Sequence, residues 1–138
     1  MKYNISQTQK NNIKKSISSY LDTRKDICTA YLFGSFNLEG SFSDIDLGVL
    51  AYEKVSNFVI FEMDLEIAIE KIVRHNVDIR LLNSAPIPFC QNVIRTGKVI
   101  YDENPNLRSE FESNVLKQYF DFSIFRRRYL SEAINAPI

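Results

Sequence analysis

"YLFGSFNLEGSFSDIDLGVL", residues 31–50, runs from an apolar stretch into Gly34-Ser35, crosses a short polar loop, and meets Asp44-Ile45-Asp46 before a second apolar stretch. The two apolar stretches, residues 28–33 and 45–50, read as buried strands, each bounded by a turn-forming or acidic residue. Side chains alternate across a strand, so Asp44 and Asp46 project to one side while Ile45 and Leu47 point into a core. Neighbouring carboxylates repel, which raises a pKa or calls for a cation, and hard oxygen ligands suit Mg²⁺, which commonly adds phosphate oxygens. Gly34 lets backbone N–H groups come close to a phosphate, and the Ser35 hydroxyl is a further donor. A phosphate cradle at one end and metal ligands at the other describe a nucleotide site. Each part alone is weak, since aspartates in turns more often cap and solvate; the information lies in the combination.

Working outward, Ile13, Ile17 and Leu21 recur every four residues and Ser6 with Gln9 has the form of a capping box, predicting a helix over residues 8–21. Between Lys54 and Ile72 the apolar residues Val55, Phe58, Phe61, Leu65, Ala68 and Ile72 step by three or four. Glu62, Glu66 and Lys71 fall on the opposite face, so an amphipathic helix is expected to cover one side of the sheet. Residues 77–82 read as a third strand. Residues 86–96 form a short helix opened by proline and stopped by Gly97, and residues 98–101 form a fourth strand. Pro105 opens a helical region running to about residue 133. No repeat or linker interrupts the pattern, so residues 1–138 are expected to form one α/β domain, a small mixed sheet flanked by helices.

Composition narrows the function. With 138 residues and 45% apolar content the chain can build one core. Lysine plus arginine and aspartate plus glutamate balance at 17 each, so no broad basic field points to nucleic acid as a partner. Cys28 and Cys90 lie in apolar surroundings without a CxxC, as buried free thiols do in a reducing compartment. The N-terminus carries no apolar leader, and no apolar run approaches the ~20 residues that span a bilayer, so a cytoplasmic protein without membrane contact is expected.

The order strand, Gly-Ser, a loop holding Gly40, then Ser-Asp-Ile-Asp-Leu in a second strand resembles the signature of the DNA polymerase β-like nucleotidyltransferases. In particular it is similar to their minimal, MNT-type members, which are paired with HEPN-domain toxins. "VDIRLLNSAPIPFCQNVIRTGKVIYDENP", residues 77–105, resembles the family's later block, in which Asp78 matches a third acidic residue. The resemblance implies that Gly34 and Ser35 hold the β- and γ-phosphates of a nucleoside triphosphate and that Asp44 and Asp46 bind the catalytic metals. Asp78 would complete the metal site and help activate the attacking hydroxyl. It further implies ATP as substrate, Mg²⁺ in a two-metal site, AMP transfer to a tyrosine of a cognate HEPN toxin, an antitoxin role and a hetero-oligomer. Two metals clamping the attacking and leaving oxygens suit such an in-line displacement. Alternatives are transfer to a small molecule of the aminoglycoside kind, or a binding antitoxin with a vestigial site. The loop of residues 36–43 speaks for the last, being shorter than the family's usual version and lacking its arginine.

Other residues carry less. His75, in a polar "RHN" turn, reads as a solvated loop residue rather than a catalytic base, and a single histidine makes no typical zinc site. Arg80 shares a strand face with Asp78 and suits either a phosphate or the carboxylates. The run Arg126-Arg127-Arg128 among Phe120, Phe122, Phe125 and Tyr129 reads as the polar face of a helix whose aromatics pack, more than as an RNA contact. By resemblance, the end of the chain also helps to hold the partner toxin.

Overall fold

The computed structural model describes residues 2–38 and 40–135. Its elements are α1 (Gln7–Asp22), β1 (Ile27–Phe33), a 3₁₀ turn (Ser35–Asn37), β2 (Ile45–Ala51), α2 (Phe58–Val73), β3 (Val77–Leu81), α3 (Ile87–Thr96), β4 (Lys98–Asp102) and α4 (Pro105–Asn135). The four strands lie in the order β3-β2-β1-β4. β1 is antiparallel to both β2 and β4, while β2 and β3 run parallel, joined by the α2 crossover. The mixed sheet expected from sequence is therefore present.

One sheet face buries Ala30, Leu32, Leu47, Val49 and Ile79 together with Ile17 and Leu21 of α1 and Leu65 and Ile69 of α2. The other packs Tyr31 and Leu82 with Cys90 and Val93 of α3 and Val115 of α4. Gly48 makes that second contact close, because a Cβ there would stand 3.0 Å from Val93 Cγ1. The N-terminus of α1 has the capping box read from sequence: Gln9 N–H donates to Ser6 Oγ at 3.1 Å and Ser6 N–H to Gln9 Oε1 at 3.0 Å. Both cysteines are free and buried.

α2 departs from expectation in two ways. It begins at Phe58 rather than near Lys54, because the Asn57 side chain accepts from the Ile60 N–H and caps the helix. It is also rotated: Leu65, Ile69 and Val73 face the core, while Phe58 and Ile72, expected on the buried stripe, stay 47% and 45% exposed. The cause is the edge of the sheet. The outward N–H groups of Leu81, Ile79 and Val77 on β3 donate to the carboxylates of Glu62, Glu66 and Glu70 at 2.8, 2.9 and 2.9 Å. Four helical residues rise ~6 Å and two strand residues ~6.6 Å, so glutamates one turn apart keep step with alternate N–H groups. Backbone donors at an edge need acceptors, and this demand turns Glu62 and Glu66 toward the strand instead of solvent.

Two further expectations are corrected. His75 is not a solvated loop residue: its ring packs 4.8 Å from Tyr3 and 5.3 Å from Phe42, where the N-terminal segment bridges Phe42. The aromatics around the arginine run of α4 do not pack; Phe120, Phe122, Phe125 and Tyr129 are 60%, 50%, 68% and 62% exposed. A helix of 31 residues is ~46 Å long, whereas strands of five to seven residues reach ~16–23 Å, so α4 outruns the sheet beyond Val115. No described helix is long and apolar enough to cross a membrane.

The edge contact makes a stability prediction. Glu66→Leu leaves the Ile79 N–H without its acceptor and is expected to lower unfolding stability by about 1–3 kcal/mol in urea titration, while Glu66→Gln, whose amide oxygen can accept, loses much less.

Candidate active site

β1 ends at Phe33 and the chain turns at Gly34, whose φ of 76° lies in the left-handed region that glycine adopts freely. The turn brings Gly34 against Asp46: a Cβ on Gly34 would collide with the Asp46 carboxylate. Ser35 opens the 3₁₀ turn, which closes through Asn37 N–H to Gly34 O at 3.2 Å and Leu38 N–H to Ser35 O at 3.1 Å. The Gly34-Ser35 half and the carboxylate half of the motif are thus in contact.

The loop beyond is held from beneath. Lys10 of α1 is 3% exposed, and its Nζ donates to the carbonyls of Leu38, Gly40 and Phe36 at 2.8, 3.2 and 3.4 Å. The ammonium also lies 5.3 and 5.5 Å from the ring centres of Phe36 and Phe42. Sequence reading passed over Lys10. The signal was its spacing, since Lys10, Ile13, Ile17 and Leu21 share one helix stripe.

The carboxylates come from two strands. Asp46 sits on β2 in register with Phe33 of β1 and Asp78 of β3, so the three form one row across the sheet. Asp44 stands just before β2 and is exposed, whereas Asp46 is half-buried. Burial pushes the Asp46 carboxyl up to about 6, with Asp78 and Asp44 adding to the rise and Arg80 opposing it. Arg80 takes the carboxylate option: its Nε lies 3.7 Å from Asp78 Oδ1 in an exposed pair of the kind that contributes little. Among the described residues no three acidic, histidine or cysteine side chains stand close enough to enclose a metal ion. The structure therefore sets Asp46 and Asp78 side by side with Gly34 against Asp46, and places Asp44 and Ser35 at the margins, without closing a cage. Half-buried, mutually repelling oxygen donors with an open side fit a Mg²⁺ ion whose remaining ligands are water and nucleotide phosphate.

Residues 15–106 match the family described as Polymerase beta, Nucleotidyltransferase. The chain belongs to this family. Protein adenylyltransferase MntA of Shewanella oneidensis is 32% identical over 95 residues, 67% of each chain. The solved structure of tri-AMPylated Shewanella oneidensis HEPN toxin in complex with MNT antitoxin aligns with 94% of this chain and 99% of the matched one, at 25% identity and a TM-score of 0.67. A toxin–antitoxin structure with AMP-PNP aligns with 91% and 98% of the two chains, at 25% identity and a TM-score of 0.69. The nucleotidyltransferase fold expected from the sequence is thus the observed one.

In this nucleotidyltransferase, removing the Lys10 ammonium deprives the loop of its anchor. Lys10→Met is expected to lower stability by about 1.5–3 kcal/mol and to speed amide exchange in residues 36–43. Thermal unfolding and hydrogen exchange measure both.

Proposed function

We propose that this chain is a Mg²⁺-dependent adenylyltransferase that moves AMP from ATP to a tyrosine of a cognate HEPN-domain toxin and so acts as its antitoxin. The observation that carries this reading is the pairing of Asp46 and Asp78 on β2 and β3, with Gly34, the residue after β1, packed directly against Asp46. Adjacent strands stand ~4.8 Å apart, so phosphate cradle, metal ligands and base follow one another along a line, as in-line displacement at a phosphorus requires. The naming of the related MntA as a protein adenylyltransferase supports the reaction class, and the AMPylated HEPN toxin of the related complex supports the acceptor.

Each residue has a part. Gly34 and Ser35 hold the β- and γ-phosphates through backbone N–H groups and the hydroxyl. Asp44 and Asp46 would hold Mg²⁺, with Asp78 completing the set; the bound ion would supply charge neutralisation for the triphosphate and for the attacking and leaving oxygens. Asp78 takes the proton of the acceptor hydroxyl. The hydroxyl oxygen forms its bond to the α-phosphorus as the bond to pyrophosphate breaks, and the pyrophosphate leaves with that electron pair. A second reading, an antitoxin that acts by binding alone, is favoured by the open arrangement of the carboxylates and the short loop of residues 36–43.

Because the carboxylates await phosphate ligands, Mg²⁺ with ATP should raise the melting temperature clearly more than Mg²⁺ alone, and Asp44→Asn/Asp46→Asn should abolish that increase while remaining folded. An equal rise in both proteins would place the metal elsewhere.

Catalysis and binding separate in Asp46→Ala. It is expected to end AMP transfer while partner affinity stays within about threefold, because a ligand at the reaction centre acts on the transition state more than on a protein contact. Intact mass and a pull-down read the two effects. Wild-type protein that neutralises its toxin without adding mass to it would establish the binding reading instead.

A further inference from the structure

At the β3 edge a cavity of about 340 Å³ opens between α2 and α3, lined by Phe58 and Phe89 and carrying Arg80, Glu62 and Ser84. Phe89 is fixed by an edge-to-face contact with Phe33, ring centres 5.7 Å apart. Glu62 is fixed by the Leu81 N–H. Arg80 connects the cavity to the site, since it lines the cavity and reaches toward Asp78 at 3.7 Å.

Position says which substrate this cavity serves. An attacking oxygen must enter opposite the leaving group. The leaving pyrophosphate belongs at the β1 end, with Gly34 and Ser35, so the attacking group enters from the β3 side, where the cavity lies. We infer that this cavity is the acceptor subsite and that it takes a phenol: the ring lies between Phe58 and Phe89, and the hydroxyl reaches the Asp78 carboxylate. The inference rests on the transferase reading above and adds the acceptor's place. Arg80 and Asp78 are two residues apart on β3, ~6.6 Å, which matches the reach of a phenol and exceeds that of a serine or threonine hydroxyl. Aromatic walls favour an aromatic ring through edge and face contacts. In the step itself the phenol proton passes to Asp78, the phenol oxygen bonds to the α-phosphorus, and pyrophosphate departs. Outside the mouth, Val59, Met63 and Ile67 continue from Phe58 along α2 at 49%, 51% and 49% exposure, an apolar surface that suits a ring carried by a protein.

Two measurements test the assignment. In the first, N-acetyl-tyrosinamide is titrated into protein loaded with Mg²⁺ and AMP-PNP and followed by NMR. Resonances of Phe58, Arg80 and Phe89 should shift together and saturate, and Ser84→Trp, which fills the cavity, should remove the effect while the nucleotide still binds. Shifts at other residues, or shifts at these three produced by AMP-PNP in place of the tyrosine probe, would put the nucleobase or nothing in the cavity and overturn the proposal. In the second, AMP transfer to the HEPN partner is measured with Phe58→Ala. The KM for the partner should rise about two- to tenfold with the KM for ATP unchanged; the reverse pattern overturns the acceptor assignment. A wild-type protein that binds the tyrosine probe in the cavity yet adds no AMP to its partner would sink the transferase reading and leave the cavity assigned as a phenol site.

Discussion

A buried ammonium organises the loop on which the site depends. Lys10 sits almost wholly out of water with carbonyl oxygens around it, those of Phe36, Leu38 and Gly40, and two aromatic rings in reach. An isolated charge in such a place is costly, and hydrogen bonds to ordered backbone together with the rings offset that cost only if the loop holds one shape. The same bonds fasten the loop to α1, which in turn rests on the sheet through Ile17 and Leu21. Gly34 and Ser35 enter this loop and Asp44 and Asp46 leave it, so the geometry between them follows from how the loop is held. The arginine usual in the family's loop is missing here, but a cation is not: it lies behind the loop and grips its backbone instead of facing a phosphate.

The opposite side of the site depends on a different solution to the same need, backbone groups without partners. β3 is an edge strand, and the Glu62, Glu66 and Glu70 carboxylates of α2 take up its outward N–H groups. Two of these bonds fall on the peptides either side of Asp78, at Val77 and Ile79, so the strand position that presents Asp78 is clamped from both sides. The arrangement concentrates negative charge. Burial raises the Glu66 carboxyl, and Asp78 raises it further, just as Asp78 and Asp44 raise Asp46. Protein cations do little to balance this, since the Arg80 pair is long and exposed.

Much of the fold was legible because short apolar runs were closed by unambiguous punctuation. β1 and β2 were bounded by Gly34 and Asp44 to within a residue, and the alternation that set Asp46 apart from Ile45 and Leu47 holds in the structure. Asp78 was found through its resemblance and its strand, and the parallel register puts it opposite Asp46. What escaped was long-range. The rotation of α2 could not be read from a helix with apolar residues on most of its faces, because the deciding partners were N–H groups of a strand that sequence alone does not place. Lys10 was hidden because a charged residue on an apolar stripe reads as a boundary, not as a group with carbonyl partners 26 to 30 residues away. The aromatics Phe120, Phe122, Phe125 and Tyr129 of α4 misled for the converse reason: their pattern is that of a packed helix, but among the described residues nothing covers them.

Gly34 ties these features to chemistry. Its left-handed backbone leaves no space for a side chain beside Asp46, so the Gly34 turn and the central carboxylate are as close as backbone and side chain can come. Under the proposed function, that proximity places negative charge where a triphosphate, itself an anion, would dock. Without a cation between them the two would repel, and with one the same carboxylates would become ligands that a phosphate completes. Electrostatic repulsion held in a folded site is a form of strain, sustained here by the Lys10 anchor on one side and the glutamate clamp on the other. The surrounding fold is therefore what keeps Asp46 and Asp78 side by side in an arrangement that the two charges alone would oppose.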